Sequence, residues 1–405
     1  MKLSIIIPSY WGRKAGEPFN EEDAVYDHPT AIDSEGTLAR ALESIRLLNY
    51  DDFRVVVLGA PTHASLAAEM ERRIEEIVEP FHRDFPVTYI GPSRLSVMRE
   101  LMERRGGEAY KDMLSLTGYS NIRNCCLVAA CLTDADAAVL FDDDQVYEDP
   151  DYLLKVSQTI GDIYENKFVW GVAGYYVNAD GNYLLPENRD WVYSEWPAVK
   201  TMNEAFGAIE SGEGLKITPW VFGGNMVIHR NLYTRLAFDP NITRGEDIDY
   251  LINARFLGYC FFLDSRLPIR HLAPPKTAPK WRRFREDVDR FLYTRAKLNS
   301  QDPYLAGWRR VAIEELEPYP GRFLKDDLEN LIFKTSLLMG LEYLSKGDQS
   351  GFEQSMANLQ RASANPYARS NPYKWYIDFR ERWERCMDFL SSNRQIKDYV
   401  TGLYA

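Results

Sequence analysis

The sequence of 405 residues has no apolar stretch that approaches the ~20 residues needed to cross a bilayer. Its N-terminal apolar run, LSIII, stops at Pro8, which is too early for the core of a secretory signal. We therefore expect no transmembrane segment, and contact with a membrane surface stays an open alternative.

Cysteine is scarce as well. The five cysteines are odd in number, form no CxxC pair, and include three in the apolar stretch NCCLVAACL at 124–132. This pattern favours reduced cysteines that act as small apolar residues of a core. Because reduced cysteines suit the cytosol, we predict a cytoplasmic protein.

An excess of basic residues is also missing. The chain has 48 Lys and Arg residues against 60 Asp and Glu residues, which gives a formal net charge of -12. Broad electrostatic binding to nucleic acid is therefore not expected. A hydrophobic fraction of 45%, with 13% aromatic residues, is enough for a sizeable core and excludes a disordered chain.

Short apolar runs alternate with helical patterns in the first part of the chain. The runs at 3–7, 54–58, 87–90 and 137–141 are rich in β-branched residues and do not alternate with polar ones. Such runs are typical of parallel strands that are covered on both faces. Segments between them, such as TLARALESIRLLN, have apolar residues at helix spacing. We predict an α/β fold with a mixed, mostly parallel sheet flanked by helices.

A long charged loop, residues 11–36, follows the first strand, at the edge where open α/β sheets bind their ligands.

The composition of the sequence changes at PPKTAPK, and the chain beyond it is mostly helical. One helix there has an apolar face that either packs on the first domain or joins two copies in a homo-oligomer. The predicted parts are a domain of residues 1–275 with halves 1–145 and 146–275, and a C-terminal helical extension of residues 276–405.

Three adjacent aspartates, Asp142, Asp143 and Asp144, follow the apolar run that ends at Phe141. Neighbouring carboxylates raise one another's pKa unless a positive charge offsets them, and a divalent cation can do so. Oxygen ligands favour Mg²⁺ or Mn²⁺, and Mg²⁺ binds through one or two carboxylates plus substrate phosphates. A polar loop in which one aspartate caps the next helix is the alternative interpretation.

The sequence resembles the glycosyltransferases of the GT-A fold, above all those of inverting family 2. The matching segments occur in the order that the family has, over residues 1–272, and FDDD matches its metal-binding DXD motif. The resemblance implies a metal-dependent enzyme that transfers one sugar from a nucleotide-diphosphate sugar to an acceptor hydroxyl. The matching segments are LSIIIPSY, TLARALESI, NIRNCCLVAA, VLFDDDQV, WVFGGNMVIHR and FDPNITRGEDIDYLINARFLGY.

The resemblance also assigns roles to residues of this sequence. Asp247, the second acid of the pair Glu246–Asp247, matches the catalytic base, although an aspartate at a helix start is also a good cap. Asp142, Asp144 and His271 would bind Mn²⁺ or Mg²⁺. The residues expected at the donor, a UDP- or GDP-sugar, are Pro8, Ser9, Tyr10, Arg123, Asn124, Asp142, Asp143, Gly223, Gly224 and Asn225.

Aromatic and basic residues suggest an acceptor side. Trp191, Trp196 and Trp220 are candidates for a pocket that binds a carbohydrate or another hydroxyl acceptor, because aromatic faces pack on sugar C–H faces. Alternatively, these tryptophans fill the hydrophobic core. The segment KTAPKWRRFR at 276–285 could contact donor phosphates, an anionic acceptor or an anionic membrane, or form a solvated helix face.

Two other classes of function are alternatives to a glycosyltransferase. A nucleotidyltransferase would normally have a Gly-rich basic loop after the first strand, which PSYWGRKAGEPF matches poorly. A non-catalytic sugar-binding protein with this fold would not need both Asp144 and Asp247. The Gln-x-x-Arg-Trp signature of processive synthases is absent after Asp247, so addition of a single sugar is expected. Inversion follows from the resemblance alone, and a retaining enzyme stays open.

Overall fold

The computed structural model describes residues 1–18, 20–187, 189–212, 214–276 and 278–402. The strands are β1 (Leu3–Gly12), β2 (Thr30–Ala31), β3 (Phe53–Pro61), β4 (Val87–Ile90), β5 (Ala137–Phe141), β6 (Gln145–Val146), β7 (Ile163–Tyr164), β8 (Lys167–Phe168), β9 (Gly171–Val177), β10 (Leu215–Ile217), β11 (Asn225–His229) and β12 (Phe261–His271). The α-helices are α1 (Leu38–Ile45), α2 (Ala67–Val78), α3 (Pro92–Arg104), α4 (Tyr119–Leu132), α5 (Tyr152–Thr159), α6 (Ala198–Phe206), α7 (Arg230–Tyr233), α8 (Glu246–Phe256), α9 (Lys280–Asn299), α10 (Leu328–Ser345), α11 (Gln349–Ala364), α12 (Pro372–Ser392) and α13 (Arg394–Thr401).

One large sheet forms the centre of the described chain, with the strand order β10-β12-β9-β11-β5-β1-β3-β4. Strands β5, β1, β3 and β4 are parallel neighbours, and β9 and β12 are a second parallel pair. Strand β11 runs antiparallel to both β5 and β9 and so joins the two parallel groups. The predicted α/β class with a mixed, mostly parallel sheet is confirmed.

The two faces of the sheet bury alternate residues of the same strands, as the pleat of a strand requires. Ile5, Ile7 and Val55 point to the cluster that includes residues of α1, α2 and α5. Ile6 and Val56 point to the opposite cluster, which includes residues of α3, α4 and α8. Coverage of both faces explains why these strands are continuous apolar runs.

The described elements that follow β12 are all helical. They share one apolar cluster with the α/β part, because Trp383 and other residues of α12 pack in the same core as α4. Two hydrogen bonds support this contact: Trp383 Nε1 donates to the carbonyl of Tyr233 at 2.9 Å, and Tyr376 Oη donates to the carbonyl of Ala237 at 2.7 Å. The helical extension therefore packs on the α/β part, and the domain boundary near residue 275 stays a prediction.

The outer side of α10 is apolar and exposed. Phe333, Leu337, Leu341 and Leu344 project there, whereas Leu331 is buried. A contact between copies of the chain through this face stays a prediction. Across the ranges that the structure describes, no helix combines the length and the apolar character that a membrane crossing needs.

A buried ionic cluster holds α9 against α8. The ammonium of Lys297 on α9 lies 2.6 Å from Asp239 Oδ2 and 2.7 Å from Asp249 Oδ1, and all three side chains are buried. Burial raises the pKa of Asp249 to about 6, although the charge of Lys297 works against that rise. Because Asp249 lies two residues after Asp247 on α8, this cluster fixes the helix that carries the predicted catalytic acids.

Substitution Lys297→Met should strongly destabilise the protein. It removes the cation from two buried carboxylates, and breaking a buried ion pair by removing one partner costs about 3–5 kcal/mol. We expect a lower urea midpoint and a lower melting temperature. The matched control is Lys334→Met, which breaks the exposed pair with Glu195 and should have little effect. Equal stability of the two variants would contradict this account.

Candidate active site

Both acidic motifs line one cleft of about 580 Å³ at the carboxyl ends of β1 and β5. Asp142, Asp143 and Asp144 follow β5 directly, and Glu246 and Asp247 begin α8. The crossover connections of the sheet bring these distant segments together. The predicted site residues that line the cleft are Tyr10, Arg123, Asp142, Asp143, Asp144, Trp220, Gly223, Glu246, Asp247 and His271.

Five predicted donor residues, Pro8, Ser9, Asn124, Gly224 and Asn225, are not among the residues that line this cleft. Pro8 lies within the buried strand β1, where it pairs with Leu58 of β3. Asn124 exchanges two hydrogen bonds of 2.8 Å with the backbone of Phe238. Pro8 and Asn124 therefore belong to the scaffold of the cleft rather than to its surface.

Ser9 orients a residue of the cleft, whereas Asn225 joins strands of the sheet next to it. Ser9 Oγ donates to Asp143 Oδ2 at 2.7 Å and accepts from Trp11 Nε1 at 3.0 Å. The amide of Asn225 donates to the carbonyls of Tyr175 and Leu267, each at 3.1 Å. Ser9 thus fixes the orientation of Asp143, and Asn225 links β11 to β9 and β12.

Glycine at 223 and 224 leaves room for side chains of the cleft that lie against this backbone. A Cβ atom on Gly223 would lie 2.7 Å from Arg123 Nη2, and one on Gly224 would lie 2.3 Å from Asp142 Oδ2. Both distances are shorter than a Cβ contact allows. The two glycines therefore make room for Arg123 and Asp142.

The pairing of β6 with β12 places His271 beside Asp144. His271 is opposite Gln145 in this pairing, and the amide of Leu272 donates to the carbonyl of Asp144 at 2.9 Å. As a result, His271 Nε2 lies 3.3 Å from Asp144 Oδ2. Burial lowers the pKa of His271, but the hydrogen bond and the charge of Asp144 outweigh it and leave that pKa raised. The pair is suited to hold a positively charged species, either a proton or a metal ion.

The donor set of this pair fits a divalent cation. Asp144 Oδ1 is buried and has no hydrogen-bond partner among the described residues. The described residues include no group of three or more His, Cys, Asp or Glu side chains arranged to hold a metal ion. Two protein ligands are nevertheless sufficient where substrate phosphates and waters complete the coordination, as is usual for Mg²⁺.

Arg123 on α4 joins the two acidic motifs. Its Nη2 lies 2.9 Å from Asp142 Oδ1, and its Nε lies 3.3 Å from Glu246 Oε1. Burial raises the pKa of Asp142, while the charge of Arg123 opposes the rise. Burial and then the charge of Asp144 raise the pKa of Asp143. Because Asp143 lies within the acidic cluster, a cation at this end of the cleft would favour its ionised form.

Asp247 is held by two backbone amides. Its Oδ1 accepts from the amide of Ile248 at 2.8 Å, and its Oδ2 accepts from the amide of Gly223 at 2.8 Å. Burial raises the pKa of Asp247 against these hydrogen bonds. The contact with Ile248 resembles the cap that the sequence left open, but the side chain also faces the cleft.

Glu246 is the second buried acid at the start of α8. Burial and the neighbouring charge of Asp247 raise its pKa to about 7, while Arg123 lowers it. Near neutral pH, Glu246 is therefore partly protonated, and the Glu246–Asp247 pair does not carry its full negative charge.

The long loop after β1 contributes residues that the sequence analysis did not assign. Tyr26 packs against Tyr10 and Tyr119, with ring centroids 4.5 and 5.1 Å apart. Asp27 and His28 of the same loop line the cleft, whereas Tyr26 is buried outside its lining. The unusual length of this connection was the signal in the sequence, but it did not indicate which residues turn inward.

Tyr176, at the end of β9, was also missed. Its ring lies 4.1 Å from that of Phe222 and 4.7 Å from that of His271. Its hydroxyl accepts from the amide of Gly224 at 3.0 Å. Tyr176 therefore connects the His271 side of the cleft to the Gly-Gly segment, although a tyrosine in a strand gave no sign of this in the sequence.

The three candidate tryptophans lie in different places. Trp220 borders the cleft with a side chain that is only 1% exposed, and its Nε1 donates to the carbonyl of Ala205 at 3.0 Å. Trp196 is only 6% exposed and packs against Phe284 of α9 and Phe323, so it belongs to the core. Trp191 is 50% exposed and does not line the cleft. Of the three, only Trp220 reaches the edge of the cleft, and it is buried there. The helical extension covers Trp196.

Comparisons with known proteins give distant similarities. No family model matches the sequence, and no curated protein matches it. The structure is similar to the mannosyltransferase PcManGT from Pyrobaculum calidifontis in complex with GDP-Man and Mn²⁺, with 16% identity, coverage of 100% of this chain and 87% of that chain, and a TM-score of 0.41. S. aureus TarS has 12% identity, coverage of 90% and 55%, and a TM-score of 0.37. GalNAc-T7 with UDP, GalNAc and Mn²⁺ has 12% identity, coverage of 78% and 54%, and a TM-score of 0.37.

The fit of the Asp144–His271 pair to a cation predicts a metal-dependent gain in stability. Mn²⁺ together with UDP or GDP should raise the melting temperature, because a ligand that binds only the folded state stabilises it. Asp144→Asn should remove the part of this gain that depends on Mn²⁺. Asp149→Asn is the matched control, since Asp149 pairs with Lys155 outside the cleft. A full Mn²⁺ effect in Asp144→Asn would contradict the assignment.

Proposed function

We propose that this chain is a metal-dependent glycosyltransferase that moves one sugar from a nucleotide-diphosphate sugar to an acceptor hydroxyl, with inversion at the anomeric carbon. The observation that carries the proposal is the single cleft that contains both the Asp142–Asp144 cluster with His271 and the Glu246–Asp247 pair. One end of this cleft suits a cation, and the other end offers a buried, oriented carboxylate.

The donor would lie at the end formed by β1, α4 and the aspartates. Tyr10 and Tyr119 line the cleft beside this end and would offer aromatic surface to a nucleobase, while the buried Tyr26 packs against both rings. Asp143, which Ser9 orients, would accept hydrogen bonds from ribose hydroxyls. Asp144 and His271 would hold the cation, and a bound divalent cation would offset the charge that develops on the diphosphate leaving group.

Asp247 would act as the general base. The acceptor oxygen forms a bond to the anomeric carbon, the bond from that carbon to the diphosphate oxygen breaks, and the acceptor proton passes to Asp247. The two amide hydrogen bonds hold the carboxylate in one orientation, so it does not need to reorganise for this step. Burial also makes it a stronger base than an exposed aspartate.

The remaining wall of the cleft suits a sugar. Met202 and Phe222 supply apolar and aromatic surface, and the buried Trp220 packs against Phe222. Arg123 has a buried Nη1 without a hydrogen-bond partner among the described residues. A few polar groups on an apolar wall are typical of sites for small polar ligands. Arg123 Nη1 is therefore the group we assign to a hydroxyl of the transferred sugar.

Substitution Asp247→Asn tests the role of the base. We expect nucleotide binding with Mn²⁺ to survive, while transfer falls by about 10²–10⁴-fold, the usual contribution of a general base. The assay is release of UDP or GDP from a panel of nucleotide sugars, with and without hydroxyl acceptors. Asp378→Asn is the control, because Asp378 forms an exposed pair with Lys374.

The outcomes of this assay separate the candidate functions. Cleavage of a donor by the wild-type protein, even to water, distinguishes an enzyme from a non-catalytic sugar-binding protein. Transfer that persists at the wild-type rate in Asp247→Asn would remove this residue as the base.

The rate of transfer should fall as the pH decreases, because the base must be ionised to take the proton. With the pKa of Asp247 raised and that of Glu246 at about 7, this fall should occur at higher pH than for an exposed aspartate. Glu246→Gln removes a neighbouring negative charge and should move the fall to lower pH. A wild-type rate that stays constant down to about pH 4, the ordinary aspartate range, would contradict the assignment.

A further inference from the structure

A row of alternating charges runs along one side of the cleft. Lys276 Nζ lies 3.3 Å from Asp27 Oδ2, and Arg244 Nη2 lies 3.1 Å from the same oxygen. Arg244 Nη1 lies 3.6 Å from Asp287 Oδ1, and Arg290 Nη2 lies 2.9 Å from that oxygen. The row contains three cations and two carboxylates, so it has one positive charge in excess.

The Arg244–Arg290 end of this row lies beside the predicted base. Arg244 precedes α8 by two residues, and a Cβ atom on Gly245 would lie only 2.2 Å from Arg290 Nη1. The guanidinium of Arg290 therefore rests on the backbone that leads into Glu246 and Asp247. Its charge is also among the causes that lower the pKa of Asp247.

Arg290 is oriented and has donor capacity left. Its Nη2 donates to Tyr319 Oη at 2.8 Å, which fixes the plane of the guanidinium. Its Nε is buried and has no hydrogen-bond partner within the described ranges. A buried donor without a partner is costly, and it is expected where a ligand completes the hydrogen bonding.

The opposite end of the row belongs to the predicted donor site. The charge of Lys276 acts on His28 and His271, next to Asp144. The charges that act on Arg290 are instead those of Tyr319, Asp287, Arg244 and Asp247. The cation site and Lys276 already provide positive charge for a diphosphate, so Arg244 and Arg290, which lie beside Asp247, are the cations of the row available to a second ligand.

We propose that the acceptor carries a negatively charged group, a carboxylate or a phosphate, which Arg244 and Arg290 bind beside Asp247. The proposal rests on the transferase function proposed above. The planar donors of arginine match carboxylate and phosphate oxygens, and binding of an anion neutralises the excess charge of the row. An acceptor held in this way presents a hydroxyl next to Asp247.

Matched sugars test the proposal in the wild-type protein. The melting temperature is measured with saturating Mn²⁺ and UDP or GDP, so that the diphosphate site is already filled, and then with added glucuronate, glucose 6-phosphate or glucose. We expect one of the two anionic sugars to bind at least ~10-fold more tightly than glucose, and the stronger of the two identifies carboxylate or phosphate as the preferred group. No preference over glucose, or an anion effect that disappears when the nucleotide is present, would overturn the proposal.

Variants assign the effect to the two arginines. Arg290→Met and Arg244→Met should each reduce the preference for the anionic sugar to about 3-fold or less, whereas Arg290→Lys should retain part of it because the charge is kept. Arg322→Met is the matched control, since Arg322 forms an exposed pair with Asp327. An unchanged preference in both Met variants would overturn the proposal, and if neither folds, Arg290→Lys and the wild-type comparison decide.

The two proposals fail in different ways. Absence of Mn²⁺-dependent nucleotide binding and of donor cleavage would refute the transferase function itself. Donor cleavage together with equal binding of glucose and both anionic sugars would leave the transferase function in place and refute only the anionic acceptor.

Discussion

The buried guanidinium of Arg123 is the interaction on which the site depends. It lies between Asp142, which follows β5, and Glu246, which begins α8. Without this cation, two buried carboxylates from distant segments would face each other with no compensating charge, a costly arrangement in a low-dielectric interior. The glycines at 223 and 224 leave the space that this arrangement needs. The ion pairs of Arg123 therefore hold the segment after β5 and the start of α8 together in one cleft.

The second constraint is the pairing of charges along the cleft. Lys276, Arg244 and Arg290 line the cleft together with the carboxylates that follow β5 and begin α8, and Asp27 and Asp287 lie between these cations. Asp27 of the long loop after β1 bridges two of these cations. Burial raises the pKa of Asp27, but the charges of Arg244 and Lys276 outweigh it and hold that pKa below its usual range. These ion pairs thereby fix the loop to the rim of the cleft. The loop also brings His28 to the cleft lining and packs Tyr26 against Tyr10 and Tyr119.

The sequence was sufficient to predict the class of fold and the acidic motifs. Continuous apolar runs predict strands buried on both faces, and acids directly after such runs predict a site at the edge of the sheet, because these features are local. The resemblance added His271, which the pairing of β6 with β12 brings to Asp144. The roles of Asn124 and Asn225 were not predictable, since each depends on which distant carbonyl its amide meets. Trp196 was equally ambiguous, because only the packing of α9 decides whether that ring is covered.

The central claim is that the aspartates after β5 and the acids of α8 serve one reaction in one cleft. The most direct test is a crystal structure with Mn²⁺ and UDP or GDP, with the metal located by its anomalous scattering. The account predicts the metal bound by Asp144 and His271, with the diphosphate between it and the open space that faces Asp247. A metal bound elsewhere, or a nucleotide that occupies another surface of the protein, would contradict it.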